Sequence, residues 1–268
     1  MISIVIPAHD EAENVESLIR EIHAACADLP CKEVIVVDDG SRDGTGDIVQ
    51  GLRSEFPWLR LVRHDRAGGQ SAAVHSGVAA AKGEIICTLD GDLQNPPAEI
   101  PRLVAPFLKG DADPALGLVA GQRVKRHDTW SKRAASRFAN GLRGWVLSDN
   151  TRDTGCGLKA FRRDAFLALP FFNHMHRYLP ALFSAHGWTI AHVDVSHRAR
   201  VAGRSKYSNL QRGLVGAYDL VGVGWLLRRR KSVRPTEVAP NGQIVMQKEA
   251  RMDAQPAVPR RTEKESAA

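Results

Sequence analysis

The chain has 268 residues, of which 43% are hydrophobic and 25% charged. This is ordinary globular composition, long enough to bury a sizeable core as one large α/β domain or two smaller ones, and it excludes a disordered, collagenous or disulfide-scaffold protein. The formal net charge of +7 is uneven: residues 197 to 234 hold ten Lys and Arg against the single Asp219. A basic excess confined to one segment argues against nucleic-acid binding over a whole face and for local contact with phosphates or a membrane surface.

The elements follow in chain order. Ile2–Ile6 is predicted as a strand. A helix is expected over Ala12–Cys26, with apolar residues at Val15, Leu18, Ile19 and Ile22. Glu33–Val37 is a second strand, followed by a helix over Asp43–Leu52 that Ser41 or Asp43 would cap. Leu59–Arg63 is a third strand and Gly69–Ala81 an alanine-rich helix. Glu84–Leu89 is a fourth strand, Pro97–Leu108 a helix with proline in its first turn, and Leu118–Gly121 a fifth strand. Strands apolar throughout, alternating with helices, predict a mostly parallel sheet covered on both faces, with right-handed crossovers.

Beyond about residue 125 the pattern changes. Thr129–Leu147 reads as a basic amphipathic helix, and Asp153–Arg163 as turn residues followed by a short strand. Tyr178–His186 is a helix, Trp188–Val195 a strand, and Tyr207–Leu227 a long, mostly apolar helix running into Arg228-Arg229-Arg230-Lys231. Its best apolar run, Leu214 to Leu227, is too short to span a bilayer and contains Asp219. Residues 232–268 are rich in Pro, Ala, Gln and charge, and are expected to be a disordered tail. The expected organisation is a catalytic domain over 1–206, an amphipathic helix over 207–231 and the tail. Cys26, Cys31, Cys87 and Cys156 show no metal-type spacing and suggest a reducing compartment. The start Met-Ile-Ser-Ile-Val-Ile-Pro has no basic n-region, so no signal peptide is expected.

In open parallel sheets, ligands bind beyond the carboxyl ends of the strands. Three predicted strands end there in Pro7-Ala8-His9-Asp10-Glu11, Asp38-Asp39-Gly40-Ser41 and Asp90-Gly91-Asp92. Asp10 and Asp43 are explained as helix caps, but one cap per helix does not use up the remaining carboxylates. A hard divalent cation does: it takes oxygen ligands and removes the like-charge penalty of Asp90 beside Asp92. The first strand-to-helix turn has no Gly-x-Gly-x-x-Gly, which counts against a dinucleotide site, and no phosphate P-loop is present. His174 and His176 lack neighbouring carboxylates and read as structural rather than as a metal pair.

Taken together, Ile4–Asn14, Val37–Ser41, Asp90–Gln94, Asp153–Lys159, His176–Leu182 and Arg200–Tyr207 resemble glycosyltransferase family 2, and within it the polyprenyl-phosphate enzymes such as dolichol-phosphate mannosyltransferases. The resemblance runs over roughly residues 1–230. It implies a Rossmann-like GT-A fold and an inverting transfer from a UDP- or GDP-sugar. It implies that Pro7, His9, Glu11, Asp38, Asp39 and Gln70 line the nucleotide-sugar pocket. Asp90 and Asp92 would bind Mg²⁺ or Mn²⁺ with the diphosphate, Gln94 lying nearby. Arg123, Arg200, Ser205 and Lys206 would meet phosphates. The chain lacks the Glu-Asp base and the Arg-Trp dipeptide of members that act on sugar hydroxyls. A lipid monophosphate is already ionised and needs cations rather than a base, so this absence favours a polyprenyl-phosphate acceptor, with Arg133 and Arg137 as candidate contacts. The alternatives are transfer to a sugar hydroxyl, which would need a carboxylate base such as Asp153, and a non-catalytic nucleotide-sugar-binding subunit. The expected location is the cytoplasmic membrane face, with residues 207–231 meeting lipid, another copy of the chain or a membrane protein.

Overall fold

The computed structural model describes residues 1–30, 32–123, 151, 153, 155–198, 209–229, 237–238 and 244–245, with Gly144 and Leu147 between. A seven-stranded sheet carries the fold, with β1 (Ile2–Ala8), β2 (Lys32–Asp38), β3 (Leu59–Arg63), β4 (Ile85–Thr88), β5 (Leu116–Arg123), β6 (Lys159–Arg162) and β7 (Thr189–Val195). Their order is β3-β2-β1-β4-β6-β5-β7. β1 is parallel to β2 and β4, β2 to β3, and β5 to β7, while β6 runs antiparallel between β4 and β5. The mostly parallel sheet expected from the apolar strands is therefore present.

The central strands bury both faces because their residues alternate between two cores. Ile2, Ile4 and Ile6 of β1 join Val34 and Val36 of β2 on one face. There they meet α1 (Val15–Ala25), α2 (Thr45–Leu52) and α4 (Ile100–Leu108), which contribute Leu18, Ile22, Val49 and Leu103. Val5, Ile35 and Val37 turn to the other face, covered by α3 (Gln70–Ala80), α5 (Arg163–Leu167) and α6 (Leu179–Ala185). The long helix α7 (Asn209–Arg228) packs on that second core through Val223, with Leu220, Leu226 and Leu227 partly buried against it.

The chain leaves β1 toward β2 and β3, then returns across α3 to β4 on the other side of β1. The carboxyl ends of β1 and β4 thus flank a topological switch point, the place where open α/β sheets form a ligand crevice. At the opposite edge, Glu33 is 7% exposed and pinned from several directions. It accepts from Ser3 Oγ at 2.5 Å, Lys82 N–H at 2.6 Å and Arg60 Nη1 at 2.7 Å.

Element ends differ from the sequence expectation in physical detail. α2 starts at Thr45 after Gly44, not at Asp43. The Asp43 carboxylate instead accepts from Thr45 N–H, Thr45 Oγ1 and Ala12 N–H, tying two loops together. Pro97–Glu99 forms a 3-10 turn before α4. In the expected tail, Glu237–Val238 pairs antiparallel with Ile244–Val245, and the hairpin-favouring Asn241-Gly242 lies between them in sequence. The expected helix over 129–147 falls largely outside the described residues.

Candidate active site

The rim at the carboxyl ends is knitted together by its own polar groups. Asp10, with φ 55°, donates its N–H to Ser41 Oγ at 3.0 Å, and its carboxylate accepts from Arg42 N–H at 2.9 Å. Glu11 N–H donates to Thr45 Oγ1 at 2.9 Å, while its carboxylate accepts from Asn14 at 2.7 Å. Asp10 is therefore no cap of the helix that follows it; it bridges the loops after β1 and β2. Pro7 lies beyond the last β1–β4 pair, Val5 with Thr88, so β4 requires no N–H from it.

Asp38 and Asp39 divide their work. The Asp39 carboxylate is 4% exposed and takes the N–H groups of Gly68 and Gly69, each at 2.8 Å, and His64 Nδ1 at 2.6 Å. Burial alone would raise its pKa, but these donors outweigh burial and hold it below the ordinary range. Asp39 thereby fixes the loop that leads into α3. Asp38 accepts from Ser41 N–H at 3.0 Å and lies 3.6 Å from Arg63. Asp38, His9, Ser41, Arg63 and Arg66 line an open cleft of about 680 Å³ between the three loops. Gly40 has φ +67°, and a Cβ there would sit 2.7 Å from the backbone of Arg66 and Ala67. A side chain would push the cleft walls apart.

The second half of the site follows β4. Asp90 accepts from Gln70 Nε2 at 2.7 Å and Asn95 Nδ2 at 3.2 Å. A Cβ on Gly157 would collide with the Asp90 carboxylate. Burial, then the charge of Asp92, pushes the Asp90 carboxyl up to about 6, against the pull of Lys159 and Arg123. Asp92 accepts from Gln94 N–H at 3.2 Å, in a loop where Leu93 takes φ 59°. A Cβ on Gly91 would stand 3.3 Å from Glu11 Cγ and from the Pro7 carbonyl, so the β4 loop lies directly against the β1 loop. The Gln94 carbonyl accepts from Arg198 N–H at 2.8 Å.

Behind Asp90 lie two cations. Arg123 makes a bidentate pair with Asp153, Nε to Oδ2 at 2.6 Å and Nη2 to Oδ1 at 2.8 Å, and this pairing raises its pKa. Lys159 is 3% exposed and donates to the Cys156 carbonyl. Burial lowers its pKa, against Cys156, Asp90 and Asp153, which raise it. His176 Nδ1 lies 2.8 Å from Ser71 Oγ, and burial keeps its pKa well below the ordinary histidine value. His174 Nδ1 lies 2.8 Å from Asp219 on α7. The two histidines thus have separate partners.

Of the residues expected from sequence, Glu11, Gln70, Asp90 and Asp92 come together at the switch point with Arg123 behind. His9 and Asp38 line the adjoining cleft. Arg133, Arg137, Arg200, Ser205 and Lys206 lie outside the described residues. The sequence reading missed Asn95, Lys159 and the Arg123–Asp153 pairing. One signal was available: Lys159 sits between apolar residues, in Gly157-Leu158-Lys159-Ala160-Phe161. Among the described residues no group of three or more His, Cys, Asp or Glu is arranged to hold a metal. Two carboxylates on one short loop do suit a cation such as Mg²⁺, which keeps waters and takes further oxygens from a bound diphosphate.

Comparison with known proteins matches this architecture to a family. The family model described as glycosyl transferase family 2 matches residues 3–169. The chain is 34% identical over 223 residues to an undecaprenyl-phosphate 4-deoxy-4-formamido-L-arabinose transferase of Aeromonas hydrophila, covering 82% of this chain and 67% of that one. A protein of the same name from Edwardsiella ictaluri is also 34% identical, over 82% of this chain and 66% of its own length. The chain thus spans about two thirds of the length of these relatives. Among solved structures, glucosyl-3-phosphoglycerate synthase of Mycobacterium tuberculosis in complex with Mn²⁺ and UDP-glucose has a TM-score of 0.59 at 23% identity, covering 91% of this chain and 86% of that one. Mannosyl-3-phosphoglycerate synthase of Rubrobacter xylanophilus has a TM-score of 0.64 at 17% identity, covering 91% and 85%. These structures share the GT-A fold. With its sheet, its Asp90-Gly91-Asp92 loop and these relatives, the chain belongs to glycosyltransferase family 2.

Proposed function

We propose that this glycosyltransferase moves a sugar from a UDP- or GDP-sugar to a polyprenyl phosphate at a membrane surface, inverting the anomeric centre. The observation that carries the proposal is the crevice where Asp90 and Asp92 meet the β1 loop, with Arg123 and Lys159 behind. The named activity of the relatives supports the acceptor.

In this reading the cleft of His9, Asp38 and Ser41 takes the nucleoside. Asp90 and Asp92 hold Mg²⁺ or Mn²⁺. The ion, when bound, neutralises charge on the departing nucleoside diphosphate. Gln70 and Asn95 orient the Asp90 carboxylate, and Gly157 leaves room for it. Gln94 lies beside Asp92 and closes the loop over Arg198. Arg200, Ser205 and Lys206 are proposed phosphate contacts for the donor, Arg133 and Arg137 for the acceptor.

The acceptor class follows from what a nucleophile needs. A hydroxyl must lose a proton as it attacks, whereas a lipid phosphate is already an anion. Asp153, the carboxylate that a hydroxyl acceptor would call on, has both oxygens engaged by Arg123. That engagement favours the phosphate acceptor.

Membrane contact is proposed through α7. Among the described residues no helix is long and apolar enough to cross a membrane. One face of α7 packs on the protein, while Tyr218, Val221 and Trp225 are 82%, 74% and 62% exposed on the other. Arg228 and Arg229 continue that outer face. Exposed apolar and aromatic residues next to arginines suit the interface of an anionic bilayer.

The test is product formation from a panel of UDP- and GDP-sugars with undecaprenyl phosphate and Mn²⁺, with and without EDTA. A lipid-linked sugar formed only with metal is expected. Tight UDP or GDP binding without transfer from any donor would refute the reading.

A further inference from the structure

Lys159 is an expensive residue for its position. Its neighbours Leu158, Ala160 and Phe161 are fully buried, and a methionine of similar length would bring no charge among them. A buried ammonium carries a large desolvation penalty unless other charges compensate it. The hydrogen bond that the structure gives it goes to a neutral carbonyl, that of Cys156. Its compensation therefore comes from charges nearby. Lys159 pairs in register with Thr88, two residues before Asp90, and the backbone of Gly157 abuts the Asp90 carboxylate. From there its charge acts on Asp90, Asp153, Arg123 and His176.

The local charges leave two negatives uncompensated. Glu11, Asp90, Asp92 and Asp153 are four carboxylates, and Arg123 and Lys159 are two cations. The difference is the charge of one divalent ion. Without Lys159 the crevice would be more negative, attracting a cation more strongly and repelling a diphosphate more strongly.

Resting on the proposed cation and diphosphate site, we infer that Lys159 is a positioning residue whose fixed ammonium makes cation and nucleotide bind as a pair. It weakens binding of the cation alone and strengthens binding of the diphosphate. The ion is then held well only with nucleotide and leaves with the spent diphosphate.

The experiment compares the full chain with Lys159→Met and Lys159→Gln, each checked for folding by circular dichroism. Glutamine can still donate to the Cys156 carbonyl, so the pair separates charge from hydrogen bonding. Mn²⁺ binding without nucleotide is read by the electron paramagnetic resonance of free Mn²⁺, and UDP and GDP binding in EDTA by calorimetry. Both variants are expected to bind Mn²⁺ about ten-fold more tightly and the nucleotide about ten-fold more weakly. Losing both affinities, changing neither, or a change in Lys159→Met alone would overturn the inference, since each points to packing or hydrogen bonding instead of charge. Asp92→Ala is the control for the site. If Mn²⁺ binding by the unaltered protein survives that substitution, the cation site itself is refuted, whatever Lys159 does.

Discussion

Asp90, the proposed metal ligand, works against the fold that holds it. Its carboxyl is raised from the ordinary 3.8 to about 6, first by burial and then by Asp92. The folded chain therefore binds this proton more tightly than the unfolded chain. Its stabilising contribution is fully present below the unfolded pKa and is lost as pH rises through about 6. At neutral pH the ionised Asp90 destabilises the metal-free protein by about 3 kcal/mol. Asp90→Asn should then raise the melting temperature in EDTA at pH 7.5 and raise it by less at pH 5, the gain shrinking as the pH falls toward the unfolded value of 3.8. Thermal melts at the two pH values decide this, and a lower melting temperature at pH 7.5 would contradict it. Asp92→Ala should weaken turnover and metal-dependent nucleotide binding together; turnover lost with that binding intact would count against Asp92 as a ligand. The position of the Asp90-Gly91-Asp92 loop at a strand end could be read in sequence, because it follows an apolar run and two carboxylates around a glycine suit a turn toward solvent or a cation. Lys159 could not be read so easily. Its burial depends on β6 inserting between β4 and β5, a non-local pairing that a lysine within a short apolar run does not announce.

At the scale of elements, the sheet has one edge for chemistry and one for cohesion. Glu33 belongs to the second, joining the starts of β1, β2 and β3 through Ser3 and Arg60. Burial would raise its pKa, but the Ser3, Lys82 and Arg60 donors outweigh burial and lower it. A lowered carboxylate pKa gives stability above the unfolded pKa, and that stability is lost as pH falls through the folded pKa. Glu33→Gln should cost about 2 kcal/mol at pH 7, and less as the pH falls below the ordinary carboxyl range. Urea unfolding at pH 7 and pH 4 measures the difference; an equal cost at both would show that packing matters more than charge. Apolar periodicity placed β1 to β4 and α1 to α3 within a few residues of their observed ends, because those elements depend on local pattern. It did not reveal that β6 runs antiparallel, because direction is set by the partners a strand finds and not by its own residues. For α7 it gave the length, but the described part of the helix is not the amphipathic one expected over 207–231. Both faces are apolar, and only packing shows that Val223 points inward while Trp225 points out.

Across the whole molecule, α7 links the proposed membrane surface to the crevice by short steps. His174 holds Asp219 of α7 at 2.8 Å, and two residues on, His176 meets Ser71 at 2.8 Å. The neighbour of Ser71, Gln70, donates to Asp90 at 2.7 Å. The helix is thus fastened to the same segment that borders the site, and Tyr178 adds a hydrogen bond to the Gly216 carbonyl at 3.2 Å. Recruitment and chemistry remain separable, because the outward residues touch neither core nor crevice. Replacing Tyr218, Val221 and Trp225 together by serine removes exposed apolar area that the fold does not use, so the melting temperature should hardly change. Co-sedimentation with vesicles containing anionic lipid should fall about ten-fold or more. Transfer to a polyprenyl phosphate embedded in those vesicles should fall with it, while transfer to a short, water-soluble prenyl phosphate should persist. Equal loss on both acceptors would place α7 in catalysis, and undiminished vesicle binding would assign its exposed face to a protein partner, because the arginines alone would then account for the lipid contact.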